Sequence, residues 1–277
     1  MTSMESAPFA EPVAPWLGGK SRLAKTIIDK ISAIEHGIYA EPFVGMGGIF
    51  LRRTMRPKSE VVNDLNGEII NLFRILQRHY PQFIDHLKFQ VTSRREFERL
   101  RVTDPKTLTD LERASRFLYL QRCAFGGKPD ATFGVSPSTP ARFDLSKIGQ
   151  SLEAAHERLS GVVFESLPWA DFIDRYDSPQ TLFYLDPPYW GGEMDYGKGM
   201  FDRSEFRKIA RRLEGIKGTW LLSINDTPQI RELFEGFHLE PLHVSYSIAR
   251  TRSPTDPKAK PAKELLISPT PIVSGFL

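Results

Sequence analysis

A single cysteine in 277 residues, Cys123, excludes an intramolecular disulfide and a cysteine-rich zinc site. The six histidines, at 36, 79, 86, 156, 238 and 243, show no ligand spacing, and no metal is expected. No run of about 18 apolar residues occurs, so no membrane partner or span is expected. Residues 1–15, MTSMESAPFAEPVAP, carry acids and prolines rather than an apolar segment. They read as a flexible leader and not as a secretory signal, which makes a cytoplasmic protein the expectation. A strong charge of one sign is also missing: the net charge is +3. Its distribution is uneven, however. Residues 71–165 hold 15 Lys and Arg against 11 Asp and Glu, and residues 246–263 hold 5 against 1. Two basic regions on a slightly acidic remainder suit a polyanion partner, although each also fits an ordinary solvated surface.

What is present is an α/β pattern. KSRLAKTIIDKIS (20–32) has helical apolar spacing, IYAEPF (38–43) reads as a strand, and a helix is expected to start near Ile49. A second strand, EVVND (60–64), and a second helix (66–80) follow, the alternation of a parallel sheet. Helices are then expected at 81–89, 93–101, 109–122 and 145–159, with a Gly, Pro and Ser-rich loop at 125–142. Strands resume at 162–167, 181–186, 219–225, 241–249 and 263–268, the last two as an antiparallel hairpin. The expected organisation is a core at 16–73 and 161–277, interrupted by a helical insertion at 74–160.

The turn EPFVGMGGIF (41–50) has glycines at 45, 47 and 48. A dinucleotide fingerprint starting at Gly45 needs a third glycine at 50, where Phe stands, and no P-loop lysine follows. A tight turn remains, one that lets a ligand touch bare backbone at a helix start. Asp64 closes the next strand and can accept hydrogen bonds from two ribose hydroxyls. A plain packing turn with an Asp cap is the competing reading. In PWLGGKSRL (15–23), Lys20 can reach a carboxylate and Trp16 offers a face to a cation, or the segment is a helix start with a packed Trp. S-adenosylmethionine carries a carboxylate, a sulfonium, a ribose and an adenine together.

The strand TLFYL (181–185) stops at Asp186-Pro187-Pro188-Tyr189, because adjacent prolines donate nothing to a ladder. The Asp186 carboxylate and the Pro187 carbonyl are two converging acceptors, suited to an amine; Tyr189 offers a flat face for a ring. Gripping both hydrogens of an exocyclic amine localises its lone pair, and that nitrogen can then attack an activated methyl group by positioning and electrostatics. A base in a duplex must first be flipped out of the stack.

With these residues in order, the chain resembles the Dam-like DNA adenine-N6 methyltransferases of α-type motif order. PWLGGKSRL, EPFVGMGGIFL, VVNDLN, FLYLQRCAFGG, SLPWADF, FYLDPPYW, LLSINDTP and KELLIS carry the resemblance over nearly the whole chain. It implies a Rossmann-like S-adenosylmethionine-dependent methyltransferase core with a helical target-recognition insertion. It implies that Trp16 and Lys20 contact the methionine part of the cofactor, that Phe43, Gly45 and Gly47 line its turn, and that Asp64 holds its ribose. Asp171 and Phe172 match the segment that meets the cofactor adenine, and Asp186, Pro187, Pro188 and Tyr189 match the catalytic motif, with Asp186 expected at the cofactor as well.

The resemblance departs at FLYLQRCAFGG, where Gln121 replaces Asn and Gly126-Gly127 replaces Asn-Gly, and at IARTRSPTD (248–256). No target sequence is therefore carried over. The partner implied is double-stranded DNA, with Arg122, Lys128 and Arg142 as expected contacts in the insertion and Arg250, Arg252, Lys258 and Lys260 in the late loop. A monomer is compatible with all of this. Two other functions stay open at this point: a DNA-binding module with a degenerate site, and an amine methyltransferase acting on RNA or on cytosine N4.

Overall fold

The computed structural model describes residues 4–127, 131–134, 140–193, 201–242 and 264–272. A seven-stranded sheet runs through it in the order β5-β4-β2-β6-β7-β9-β8. The strands are β2 (Ile38–Glu41), β4 (Ser59–Asn63), β5 (Val163–Glu165), β6 (Thr181–Leu185), β7 (Thr219–Asn225), β8 (His238–Leu242) and β9 (Glu264–Ser268). β5 to β7 pair in parallel across the sheet, and β9 is antiparallel to both β7 and β8. The chain starts in the middle at β2, winds outward through β4 and β5, then returns to lay β6 and β7 on the other side. The reversal falls between β2 and β6, and ligands of open α/β sheets gather outside the strand C-termini at such a reversal. This is the expected Rossmann-like arrangement. β8 starts three residues before its expected position, and 243–249 lie outside the described residues.

The central strands are apolar without a break because both faces are covered. Side chains alternate between two buried clusters with the strand period of two. Leu182, Tyr184, Leu221 and Leu266 join one cluster with Ile27 and Ile31 of α1 (Ala24–Ser32) and with α2 (Gly67–Arg78). Phe183, Leu185, Trp220, Leu222, Leu265 and Ile267 join the other, under α7 (Trp169–Tyr176), α8 (Arg203–Glu214) and α9 (Pro228–Leu233). These last three helices were not among the elements expected from sequence.

The expected insertion helices are present as α3 (Tyr80–Leu87), α4 (Arg94–Val102), α5 (Asp110–Cys123) and α6 (Leu145–Arg158). Their starts are set by local chemistry. Ser93, Thr109 and Asp144 cap α4, α5 and α6, and Thr109 with Glu112 forms a capping box. The boundary expected at 73/74 falls inside α2, and Phe83, Phe97, Leu118 and Leu152 share one continuous buried cluster with Phe73 and Leu72. The insertion packs on the core through that cluster.

Two expectations are corrected. The leader is packed from residue 5: β1 (Glu5–Ser6) pairs with β3 (Met55–Arg56), and Ala10, Val13 and Ala14 are buried. No long helix follows the glycine turn. One 3-10 turn, Phe50–Arg52, leads to extended Arg53. Pro57 disfavours helix at the preceding residue, and buried Arg53 is drawn to Glu60 at 2.8 Å. Among the described residues no helix is long and apolar enough to cross a membrane.

Candidate active site

A cavity of about 630 Å³ opens at the reversal between β2 and β6. Trp16, Lys20, Phe43, Gly45, Asp64, Arg122, Asp186 and Pro188 line it, bringing together residues from five separated stretches of sequence.

The glycine turn forms one wall. Gly45 has φ +51°, and a Cβ there would fall 2.7 Å from the Trp16 indole nitrogen. Only glycine gives that backbone without strain or collision. The Gly45 N–H donates to Asp64 Oδ2 at 2.9 Å, and the Asn66 N–H donates to Oδ1 at 2.9 Å. Burial pushes the Asp64 carboxyl up to about 6, against these two hydrogen bonds. Asp64 thus braces the turn from below, while Asn66 caps α2. Gly47 serves packing instead of the cavity: its φ is +75°, and a Cβ would meet Leu51 at 2.8 Å.

Asn63, one residue earlier, ties three chain segments together, a role absent from the sequence reading. Its Nδ2 donates to Pro42 O at 2.9 Å and to Leu167 O at 3.0 Å, and its Oδ1 accepts from Leu167 N at 2.8 Å. Leu167, Pro168 and Trp169 are thereby held at the cavity. With Phe43 and Phe201 they make its apolar end, where the Trp169 indole N–H donates to Glu205 Oε2 at 3.0 Å. The expected contacts Asp171 and Phe172 sit elsewhere. α7 turns Asp171 outward to solvent and buries Phe172 against Tyr176 and Phe183.

The Asp-Pro-Pro-Tyr corner forms the facing wall. Asp186 leaves the end of β6, and Ser223 on the neighbouring β7 donates to its Oδ1 at 3.1 Å. Two residues on, and on the same face of β7, Asn225 accepts from Trp190 N at 2.9 Å and donates to Trp190 O at 3.0 Å. The corner is therefore pinned at both ends, and Pro187 is buried between.

Lys20 lines the cavity and is held there by groups of its wall. It is only 4% exposed, and its Nζ lies 2.6 Å from Asp186 Oδ1, 3.2 Å from Glu264 Oε1 and 3.1 Å from the Tyr189 hydroxyl. Nζ also donates to Gly18 O at 3.3 Å, so the three N–H donors of the ammonium are taken up by Asp186, the Tyr189 hydroxyl and this carbonyl, with Glu264 Oε1 at ion-pair distance. Burial works against the Lys20 charge, but Asp186, Glu264 and Tyr189 outweigh it and keep the ammonium protonated. Tyr189 in turn donates to Glu264 Oε2 at 2.7 Å. Burial pushes Asp186 above the usual carboxylate range, while Lys20 and Ser223 pull it back.

The expected polyanion contacts are placed only in part. Arg122 donates to Val13 O and, at 3.2 Å, to Arg142 O; it clasps the N-terminal segment to α5. Arg142 is exposed and donates to Ala124 O at 3.0 Å. Lys128, Arg250, Arg252, Lys258 and Lys260 lie outside the described residues. Gln121, a point of departure from the resemblance, donates to Pro15 O at 2.8 Å and Gly127 O at 2.7 Å. It so fixes the approach to Trp16.

Residues 16–248 match the family model for D12 class N6 adenine-specific DNA methyltransferases. The chain is 25% identical over 241 residues to the type II methyltransferase M.CviBI of Paramecium bursaria Chlorella virus NC1A, covering 85% of this chain and 89% of that protein. It is 26% identical over 266 residues to a DNA adenine methylase of Haemophilus influenzae, covering 86% and 88%. With a DNA N-6-adenine-methyltransferase of Escherichia phage P1 it shares 27% over 264 residues, 88% of this chain and 34% of that protein.

Proposed function

The chain belongs to the family of D12 class N6 adenine-specific DNA methyltransferases, and from that premise we propose that it moves the methyl group of S-adenosylmethionine to N6 of an adenine turned out of duplex DNA. Site-specific adenine methylation of DNA is its activity. The observation that carries the finer reading is the position of Asp186. Its carboxylate, held by Lys20 and Ser223, faces a cavity whose other wall is the Gly45 turn.

The residues of that cavity suit the donor. Its volume lies in the range of small-molecule sites. Gly45 gives bare backbone beneath Trp16, whose indole face suits a sulfonium cation. Asp64 keeps lone pairs beyond those used by Gly45 and Asn66, and these suit ribose hydroxyls. The apolar end formed by Phe43, Trp169 and Phe201 suits an adenine ring. When bound, S-adenosylmethionine supplies an electrophilic methyl group and leaves with the bonding pair on sulfur.

Asp186 and the Pro187 carbonyl then accept the two N6 hydrogens of the target adenine. This draws the nitrogen lone pair out of ring conjugation and points it at the methyl carbon, and the proton that the methylated nitrogen sheds leaves along its hydrogen bond to Asp186 and on to solvent. Tyr189 supplies a face for the flipped ring, replacing stacking lost from the duplex. Residues 74–160 act as the target-recognition part, with Lys128 and Arg142 meeting DNA there and Arg250, Arg252, Lys258 and Lys260 meeting it from the late loop, while Arg122 braces the N-terminal segment. Phosphate contacts of this kind weaken as salt rises.

The test is nucleoside analysis of duplex DNA incubated with the protein and S-adenosylmethionine. N6-methyladenine in duplex DNA is the expected product. N4-methylcytosine, methylation confined to RNA, or no incorporation contradicts the proposal. The last outcome is that of a binding module, against which the complete Asp-Pro-Pro-Tyr corner speaks.

A further inference from the structure

Behind the corner lies a group of side chains that touch its residues and not the cavity. β9 is antiparallel to β7, so its first residue, Glu264, stands opposite Asn225, the last residue of β7. The one reversed strand next to β7 therefore delivers a carboxylate to the edge of the sheet where the parallel strands end. Glu264 is 2% exposed: its Oε2 accepts from the Tyr189 hydroxyl at 2.7 Å, and its Oε1, which accepts no hydrogen bond, lies at ion-pair distance, 3.2 Å, from Lys20 Nζ. On β7 itself, Ser223 is fully buried; its Oγ lies 2.7 Å from the Tyr184 hydroxyl and donates to Asp186 Oδ1 at 3.1 Å.

We propose that Glu264 and Ser223 are positioning residues for methyl transfer, Ser223 by fixing one oxygen of Asp186 together with Lys20, and Glu264 by fixing Lys20 and the Tyr189 hydroxyl. This rests on the methyl-transfer reading of the same site. Asp186 and Tyr189 are two residues of one rigid corner, yet they must meet different parts of one base: the carboxylate its amine, the ring its face. Lys20 touches both, at 2.6 Å and 3.1 Å, and its charge is balanced by Asp186 and Glu264 together. Without Glu264, the ammonium keeps one carboxylate partner, and the Tyr189 hydroxyl loses the acceptor that sets its direction. Without the Ser223 hydroxyl, Asp186 Oδ1 keeps Lys20 alone and can rotate. Misplacement by about 1 Å is enough to cost on the order of a hundredfold in rate.

The experiment is single-turnover methyl transfer to duplex DNA by the full chain, with rates expressed per donor-binding molecule. Glu264→Ala is expected to slow transfer about 10- to 100-fold with donor affinity unchanged, and Glu264→Gln, which still offers Tyr189 an acceptor, recovers part of the loss. Ser223→Ala is expected to slow transfer about tenfold, and Tyr184→Phe less. Wild-type rates per donor-binding molecule in Glu264→Ala and Ser223→Ala overturn the proposal, even where their melting temperatures fall. Loss confined to donor affinity overturns it too. Failure of the wild-type protein to make N6-methyladenine overturns instead the reading on which it rests.

Discussion

At the scale of single residues, the carboxylates divide by what they are bound to. Asp64 and Asp186 both end strands and both line the cavity, but backbone N–H groups hold the first and a buried ammonium the second. On the proposed reading, in which Asp64 holds the donor's ribose, that difference predicts a pH dependence for donor binding. Asp64 titrates at about 6 because burial raises it from 3.8. Hydroxyls that donate to its carboxylate favour the ionised form, so donor affinity is full above about pH 6 and falls as pH drops through that value. The protein without donor shows the opposite sign. A raised carboxyl pKa stabilises the fold below 3.8, and that contribution is lost as pH rises through about 6. Calorimetric titration of S-adenosylmethionine is expected to show affinity falling severalfold from about pH 7.5 to about pH 5, and Asp64→Asn is expected to bind weakly without that dependence. A flat wild-type profile contradicts the assignment. Both carboxylates were legible because each sits where a predicted strand ends. Ser223, Asn225, Asn63 and Glu264 were not singled out, although Ser223 and Asn225 stand two apart on a predicted strand, the spacing of one face. Their partners are 21 to 244 residues away in the sequence, and only the folded sheet brings them together.

At the scale of elements, period-two and apolar runs gave the strands of the sheet because they are buried on both sides. The insertion helices were legible from their amphipathic spacing and from capping residues such as Thr109 and Glu112. α8 carried the same signal in Phe206, Ile209, Ala210 and Leu213, and went unread beside the strand pattern. The helix expected near Ile49 was an error of a different kind: its apolar residues are real core, but Arg53 and Pro57 end it after one turn. Arg53 belongs to a buried group that joins insertion to sheet. Glu60 on β4 accepts from Arg53 at 2.8 Å and from Arg158, the last residue of α6, at 2.7 and 2.8 Å. Arg158 is fully buried. Replacing Glu60 by Gln leaves two buried guanidinium groups without their anion. Urea unfolding is expected to show a loss of about 3–5 kcal/mol, the cost of breaking a buried charge group. A change under about 1 kcal/mol contradicts this account of how α6 is fixed.

At the scale of the whole molecule, the order of strands does the placing. Winding out from β2 and back to β6 leaves a crevice between their C-terminal ends. The Gly45 turn follows one strand and the Asp186 corner follows the other, so residues 45 and 186 face each other across one cavity. That much was readable from motif order and strand ends. The packing of residues 5–15 was not, because their partners are the short strand at 55–56, the carbonyls of Leu51 and Thr54, and the side chains of Gln121 and Arg122. The basic balance of 71–165 is also partly internal: Arg122, Arg113 and Arg158 serve ion pairs or carbonyls of the fold.

The claim on which the account depends is that Asp186 acts on the target amine and not on the donor. The measurement is the single-turnover rate of methyl transfer to duplex DNA by Asp186→Ala, alongside its affinity for S-adenosylmethionine. The rate is predicted to fall by at least about 10²–10³-fold while donor affinity stays within severalfold of wild type, as for loss of a group that acts in the transition state. Transfer at the wild-type rate, or a loss explained wholly by donor affinity, would contradict it.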